Sequence, residues 1–331
     1  MKAFKIILSL FFIFIIAAGI FCFYVYSQMQ PSKGDLIEYS ITVEPGASYL
    51  SISKILKEND IIKSDKVFYY YSRIKKASLK SGYYSVNNKM TFDEILDLLN
   101  TGRQENYAVS IPEGLTITNI AKLLEEKGIV EKAEDVICVT RDKDLLAKYN
   151  IPAETFEGYL FPDTYYLTKY LSSEEILTIM VENFYNKLET IENSTDLSPE
   201  ELHETIKLAS IVEKEYKVKD EAPLIASVFK NRLRYNIGLY SCATIIYIIT
   251  EVQGLPHPGQ VRYADLEIES PYNTYKYAGL PPTPISNPGL VALDASINTP
   301  KTNYYIFRVK DEAKGTHIFT TDFESHKEAG L

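Results

Sequence analysis

The 331-residue chain reads as a mixed α+β protein behind one N-terminal membrane-spanning helix. Three observations carry that expectation. Residues 6–26 hold no charged side chain over 21 positions, long enough to cross a bilayer core as a helix. Between 172 and 235, apolar residues recur at helical spacing behind strong hydroxyl caps. Beyond 300, two short alternating runs, 304–309 and 316–320, flank Asp311-Glu312-Ala313-Lys314-Gly315 as a hairpin does. Helices grouped before a small antiparallel piece make an α+β pattern.

Lys2 and Lys5 precede the apolar run, so the positive-inside tendency leaves a cytoplasmic stub at 1–5 and puts the rest of the chain outside. No small-x-small cleavage site follows Tyr26, and an uncleaved anchor is expected. Residues 27–40, with Pro31 and Gly34, read as a linker. A brief strand at 41–43 leads into the turn Glu44-Pro45-Gly46-Ala47-Ser48. Ser48 caps a helix carrying Ile52, Ile55 and Leu56. Ser64 caps another, with Val67, Tyr70, Tyr71 and Ile74 expected on its inner side. A strand over 81–86 follows, and Thr91 with Glu94 forms a capping-box signature for a helix through Leu99.

A weak repeat comes next. Residues 45–52 return 68 positions later at 113–120, each copy a turn Gly, a hydroxyl cap and an apolar helix. The pattern resembles the LysM module, a small βααβ unit that binds N-acetylglucosamine polymers, although strand–Gly–Ser/Thr–helix is also a common βα connection. Residues 133–156 read as helical and then irregular, and 157–166 form an aromatic loop of the kind that lines clefts. Ser172 with Glu175 starts one helix; Ser198-Pro199-Glu200-Glu201 starts another. A third covers 222–235, with Gly238 expected to end it. The Pro- and Gly-rich stretch 255–289 is loop. Asn287 is expected to cap a helix begun by Pro288, with Leu290, Leu293 and Ile297 inward.

Composition excludes several functions. A net charge of −9 argues against nucleic acid as the main partner. Cys22, Cys138 and Cys242 make neither a disulfide framework nor a metal pair, and the last two are expected to be buried free thiols. His203, His257, His317 and His326 lack zinc spacing, so no metal site is expected. No phosphate loop, dinucleotide fingerprint or Gly-x-Ser-x-Gly elbow is present, and no cofactor is expected.

Acid chemistry on a carboxylate remains. Leu208, Ile211, Val212 and Glu215 fall at i, i+3, i+4 and i+7 and share one helix face. A carboxylate continuing an apolar stripe is desolvated, which raises its pKa and suits it to donate a proton near neutral pH. Periodicity alone better fits a Glu at the rim of a core face, reaching solvent or a Lys. Glu213 is rotated away from the stripe and is expected at the surface. Glu157 and Asp163, in the aromatic loop with Tyr159, are the carboxylates placed to assist in a cleft.

Five further stretches identify the chain as a member of the YceG-like endolytic murein transglycosylases. They are Glu157-Gly158-Tyr159-Leu160-Phe161-Pro162-Asp163-Thr164-Tyr165; Leu208 to Glu215; Val228-Phe229-Lys230-Asn231-Arg232-Leu233; Ser270-Pro271-Tyr272-Asn273-Thr274-Tyr275; and 279–289. The closing Gly315-Thr316-His317-Ile318-Phe319 also fits. The resemblance implies an anchor (6–26), a LysM-like module (41–105) and a lytic domain (106–331, its boundary with the module lying somewhere within 106–156). It makes Glu215 the acid that protonates the oxygen between N-acetylmuramic acid and N-acetylglucosamine, then the base that accepts the proton of the muramyl C6 hydroxyl. The product is a 1,6-anhydro end. It implies glycan strands as substrate and peptidoglycan synthases as neighbours at the cell membrane. Supporting contacts to glycan are expected from Asn231, Ser241, Thr244, Tyr247, Asn273, Tyr275 and Asn287, together with Glu157, Tyr159 and Asp163. One departure stands out: Cys242-Ala243 occupies the place of the family's usual Asp-Pro. A tethered glycan-binding scaffold with little activity is the alternative function.

Overall fold

The computed structural model describes residues 2–31, 34–43, 46–101, 107–169 and 171–328. The chain divides into two compact units, 1–106 and 107–331.

The first unit opens with α1 (Lys2–Met29). Its segment Leu10–Met29 has a mean hydropathy of 2.3, so it is long and apolar enough to cross a membrane. Then come β1 (Glu38–Val43), α2 (Tyr49–Glu58), α3 (Asp65–Lys75), β2 (Gly82–Asn87) and α4 (Phe92–Thr101). β1 and β2 pair antiparallel, Ile41 opposite Tyr84. Ile41, Ile52, Leu56, Phe68, Tyr84, Val86, Ile95 and Leu99 form the core. The inner face of α3 differs from the expected one. Tyr70 and Ile74 are 62% and 79% exposed, while Phe68 and Ser72 are buried. Phe68 meets Phe92 edge-on at 4.9 Å, and Tyr71 packs on the same ring at 5.8 Å.

The second unit contains β3 (Tyr107–Ser110), α5 (Ile117–Glu126), α6 (Ala133–Val139), α7 (Lys143–Lys148), β4 (Thr164–Leu167), α8 (Ser173–Leu188), α9 (Pro199–Glu215), α10 (Ala222–Arg234), α11 (Cys242–Tyr247), α12 (Leu290–Ile297), β5 (Ile306–Asp311), β6 (Thr316–Thr320) and α13 (Phe323–Glu328). β3 pairs antiparallel with β4, and β5 with β6. The strand pair β3–β4 was not expected; part of the aromatic loop runs on into β4.

The sequence repeat has a structural counterpart. Gly46 and Gly114 both take the left-handed conformation, at φ 79° and 76°. Ser48 then accepts the Ser51 N–H, and Thr116 the Asn119 N–H. Each copy runs strand, helices, antiparallel strand. Glu44 and Pro45 lie outside the described residues.

α9 is the axis of the second unit, packed against α10, α11 and α12. Ser198 and Glu201 close a capping box at its start, with Pro199 in the first turn. Ile206, Leu208, Ala209, Ile211 and Val212 are buried along it. Two expected helix ends move. α10 stops at Arg234, and Asn236 rather than Gly238 supplies the left-handed residue beyond it, at φ 55°. Gly238 is required for another reason: a Cβ there would lie 2.9 Å from the Tyr240 ring and 3.0 Å from the Thr274 carbonyl. α12 is capped by Gly289, not Asn287.

Candidate active site

Glu215 is the last residue of α9, and its carboxylate is half-buried where the helix dipole also disfavours negative charge. Ser241 Oγ donates to Glu215 Oε1 at 2.5 Å. That hydroxyl is set from both sides. Its oxygen also caps α11 by accepting the Ala243 N–H at 3.3 Å. The Ser241 N–H bonds Thr274 Oγ1 at 3.2 Å, and Thr274 Oγ1 meets Thr244 Oγ1 at 2.9 Å. Tyr240, held at φ 52°, turns the chain into this arrangement.

A cleft of about 350 Å³ opens over Glu215, walled by Arg232, Tyr240, Cys242, Phe307, Arg308 and His317. Arg232 is buried beneath it. Its Nε donates to the Tyr305 carbonyl at 2.7 Å and its Nη1 to that of Leu239 at 2.5 Å. Burial raises Glu215 above the ordinary carboxylate value, while the Ser241 hydroxyl, His317 and Arg232 pull the other way. Such a carboxylate keeps its proton to higher pH than an ordinary one, and the Ser241 hydroxyl and the Arg232 guanidinium favour the ionised form once the proton is given up.

Of the residues proposed from sequence to contact glycan, Ser241 touches Glu215 and Thr244 locks Ser241. Tyr275 stands beside them, its hydroxyl 3.1 Å from Cys242 Sγ and its ring edge-on to Tyr240. Cys242 is exposed on the cleft and Cys138 is exposed elsewhere, so neither is the buried thiol expected. Tyr247 lines a second cleft of about 830 Å³ with Ala243, Asn119, Lys122, Lys214 and His257.

The other candidates are engaged with protein groups. Asn287 is buried; its Oδ1 accepts the Gly158 and Leu160 N–H groups, both at 2.9 Å, while its Nδ2 donates to the Leu115 carbonyl and to Glu157. Glu157 is 6% exposed and takes the Ile117 N–H at 3.2 Å; burial pushes it up to about 8. Tyr159 is buried, with its hydroxyl 2.9 Å from His203 Nδ1. Asp163 bonds Asn183 and faces Lys187 at 3.4 Å. Asn231 donates to the Thr302 and Tyr304 carbonyls, and Asn273 to those of Leu266 and Ile268. The amides satisfy loop backbone, and Glu157 and Tyr159 are buried with partners, while Asp163 is partly exposed.

Glu213 corrects the expectation of a surface residue. It is half-buried, accepts the Gly289 N–H at 2.9 Å, and burial first, then the nearby Glu113 charge, helps lift it to about 7. Together with Ser210, whose hydroxyl accepts the Ile285 N–H at 3.0 Å, it fastens the Pro-rich loop to α9. Sequence reasoning also passed over Arg232, Tyr240 and His317 as site residues. Arg232 and His317 lie within the quoted motifs; nothing local marks Tyr240.

Residues 41–330 match the YceG-like family. A Bacillus subtilis protein named endolytic murein transglycosylase is 33% identical over 323 residues, spanning 92% of this chain and 87% of its own length. A Streptococcus pneumoniae protein of the same name is 28% identical over 98% of this chain, which spans 64% of that longer relative. The crystal structure of a YceG-like protein from Listeria monocytogenes aligns with a TM-score of 0.56 at 29% identity, covering 89% of this chain and 99% of that one. The chain belongs to the YceG-like family.

Proposed function

We propose that this protein is a membrane-anchored endolytic transglycosylase that cuts nascent peptidoglycan between N-acetylmuramic acid and N-acetylglucosamine. The observation that carries the reading is Glu215, a desolvated carboxylic acid under a cleft, hydrogen-bonded to Ser241 and flanked by Arg232. The names of the Bacillus and Streptococcus relatives support the substrate class.

Glu215 gives its proton to the glycosidic oxygen, the C1–O bond breaks, and positive charge builds at the muramyl C1. The Ser241 hydroxyl stabilises the carboxylate that forms. The C6 hydroxyl of the same sugar then closes onto C1, and its proton leaves to a base. The product carries a 1,6-anhydro end and no water is consumed. Cuts of this kind beside the membrane terminate strand growth, next to peptidoglycan synthases. The apolar helix supports anchoring, and Lys2 and Lys5 support a cytoplasmic N-terminus with the bulk of the chain outside. The order β1–α2–α3–β2 supports a LysM-like module over 41–105.

The test incubates the full chain, or its Glu215→Gln variant, with polymerised uncrosslinked glycan and reads the ends by mass. Anhydro ends from wild type, lost in the variant, are expected. Hydrated reducing ends from wild type would make the protein a hydrolase. Absence of cleavage by either would leave a glycan-binding scaffold.

A further inference from the structure

The family resemblance gives the C6 proton back to Glu215 itself. We propose instead that His317 is the base that takes this proton, with Glu221 as its positioning residue. The proposal rests on the transglycosylase reading of the Glu215 cleft and divides its two proton transfers between two residues.

Three elements build the pair. His317 lies on β6, opposite Val309 of β5. Glu221 stands immediately before α10. Its carboxylate accepts the His317 backbone N–H at 3.0 Å and holds ring Nδ1 at 2.7 Å. A carboxylate on Nδ1–H fixes the tautomer that leaves the Nε2 lone pair free. Among the described residues, Nε2 has no hydrogen-bond partner, and the ring lines the same cleft as Glu215. Phe307 sits edge-on to the imidazole at 5.5 Å and Phe319 lies 6.3 Å away, so its orientation is held by packing as well as by charge. The side chain is only 5% exposed, and Glu221 only 15%. A buried histidine–carboxylate pair at the wall of a cleft, with one nitrogen unspent, is more than loop anchoring requires: the backbone N–H bond to Glu221 would do that alone.

Charge arithmetic favours the division. After the first transfer Glu215 is an ionised, desolvated carboxylate beside the departing sugar. If His317 then accepts the C6 proton, an imidazolium forms next to that carboxylate and the two charges stabilise each other. The atoms balance: the Glu215 proton goes to the leaving oxygen, C1–O breaks, O6–C1 forms, and the O6 proton goes to Nε2. Transfer from imidazolium to Glu215 through solvent restores the starting state. Glu221 before α10 contacts the imidazole, and Glu215 on α9, Arg232 on α10, Arg308 on β5, and Tyr240 and Cys242 around the start of α11 line the cleft with it. Lys217 abuts the neighbouring Gly315.

The test measures anhydro-end formation by the full chain across pH for wild type, His317→Gln and Glu221→Gln, with unfolding midpoints as controls. Gln at 317 can still donate to Glu221 and cannot act as a base. An acid working with a separate base gives a bell-shaped profile, whereas one Glu in both roles gives only a fall at high pH. Wild type is expected to be bell-shaped. His317→Gln is expected to slow turnover roughly 100-fold, lose the acidic limb and divert product to hydrated ends as water takes the place of the C6 hydroxyl. Glu221→Gln, which no longer fixes the tautomer, is expected to slow anhydro-end formation and raise the share of hydrated ends. A wild-type profile without an acidic limb overturns the proposal. So does a His317→Gln enzyme with wild-type rate and wholly anhydro product, or one slowed equally at every pH with unchanged product. In each of those cases cleavage lost in Glu215→Gln leaves the acid assignment standing; a wild type that cleaves nothing removes both.

Discussion

Ser241→Ala separates the acid's tuning from its presence. The Ser241 hydroxyl donates to Glu215 across 2.5 Å, a bond that strengthens as the carboxylate ionises. Removing it disfavours the ionised form, so the Glu215 pKa rises further. A hydrogen bond to a charged group contributes about 1.5–3 kcal/mol. At about 1.4 kcal/mol per unit, that is roughly 1–2 pH units. Because Glu215 acts in its protonated form, the basic limb of the rate profile should move to higher pH by that amount. Ser241 also caps α11 through the Ala243 N–H, so the alanine variant should lose about 1 kcal/mol of stability as well. Ser241→Gly isolates the two effects, since glycine is nearly as good a cap but brings no hydroxyl. Both variants should shift the limb alike, with the glycine variant the more stable. The assay is initial rate of anhydro-end formation from pH 5 to 10, with urea unfolding alongside. A basic limb unmoved in both folded variants would refute the argument: either Ser241 does not hold the acid, or the limb does not report Glu215.

Three further outcomes follow from the same geometry. Glu157 is lifted to about 8, so the folded chain keeps a proton that the unfolded chain releases above about pH 4.3. Its contribution is intact below that value and lost as pH rises towards 8, at up to about 1.4 kcal/mol per pH unit, and Glu157→Gln should flatten this slope in urea unfolding at pH 5 and 8; an unchanged difference would count against a buried proton. Asn287→Ala strips the acceptor from two buried N–H groups, those of Gly158 and Leu160, and should cost about 3–5 kcal/mol in denaturant unfolding; a loss below 1 kcal/mol would mean that water replaces the side chain. Cys138 and Cys242 are exposed, and a membrane-impermeant maleimide should label them in intact cells if the bulk of the chain is extracytoplasmic; labelling only after permeabilisation would reverse the proposed orientation.

What was legible in the sequence was local. The capping boxes of Ser172–Glu175 and Ser198–Glu201 depend on residues three apart, and both formed as read. The Ser48 and Thr116 caps likewise follow from short spacing. The hairpin at β5–β6 follows from one turn. What escaped was non-local. Ser110 pairs with Thr164 across 54 positions, Asn287 reaches Leu115 across 172, and His317 meets Glu221 across 96. No periodicity encodes such partners. The protein partners of Glu157, Tyr159, Asp163, Asn231, Asn273 and Asn287 were equally hidden, since neither a motif nor a loop's composition names the group a side chain will bond.

The last turn of α9 makes the same point in three residues. Glu213 and Glu215 are alike in sequence, and burial raises both. Two positions apart on a helix is about 200° of rotation, so they face different surroundings. Glu213 turns to Gly289, where a backbone N–H occupies its oxygen and ties down the Pro-rich loop. Glu215 turns to a cleft, where its partner is the Ser241 hydroxyl, which can shift with the charge as a backbone amide cannot. A raised pKa therefore does not single out the acid. The open wall does: a carboxylate fixed to the backbone anchors a loop, and one beneath a cleft can give its proton away.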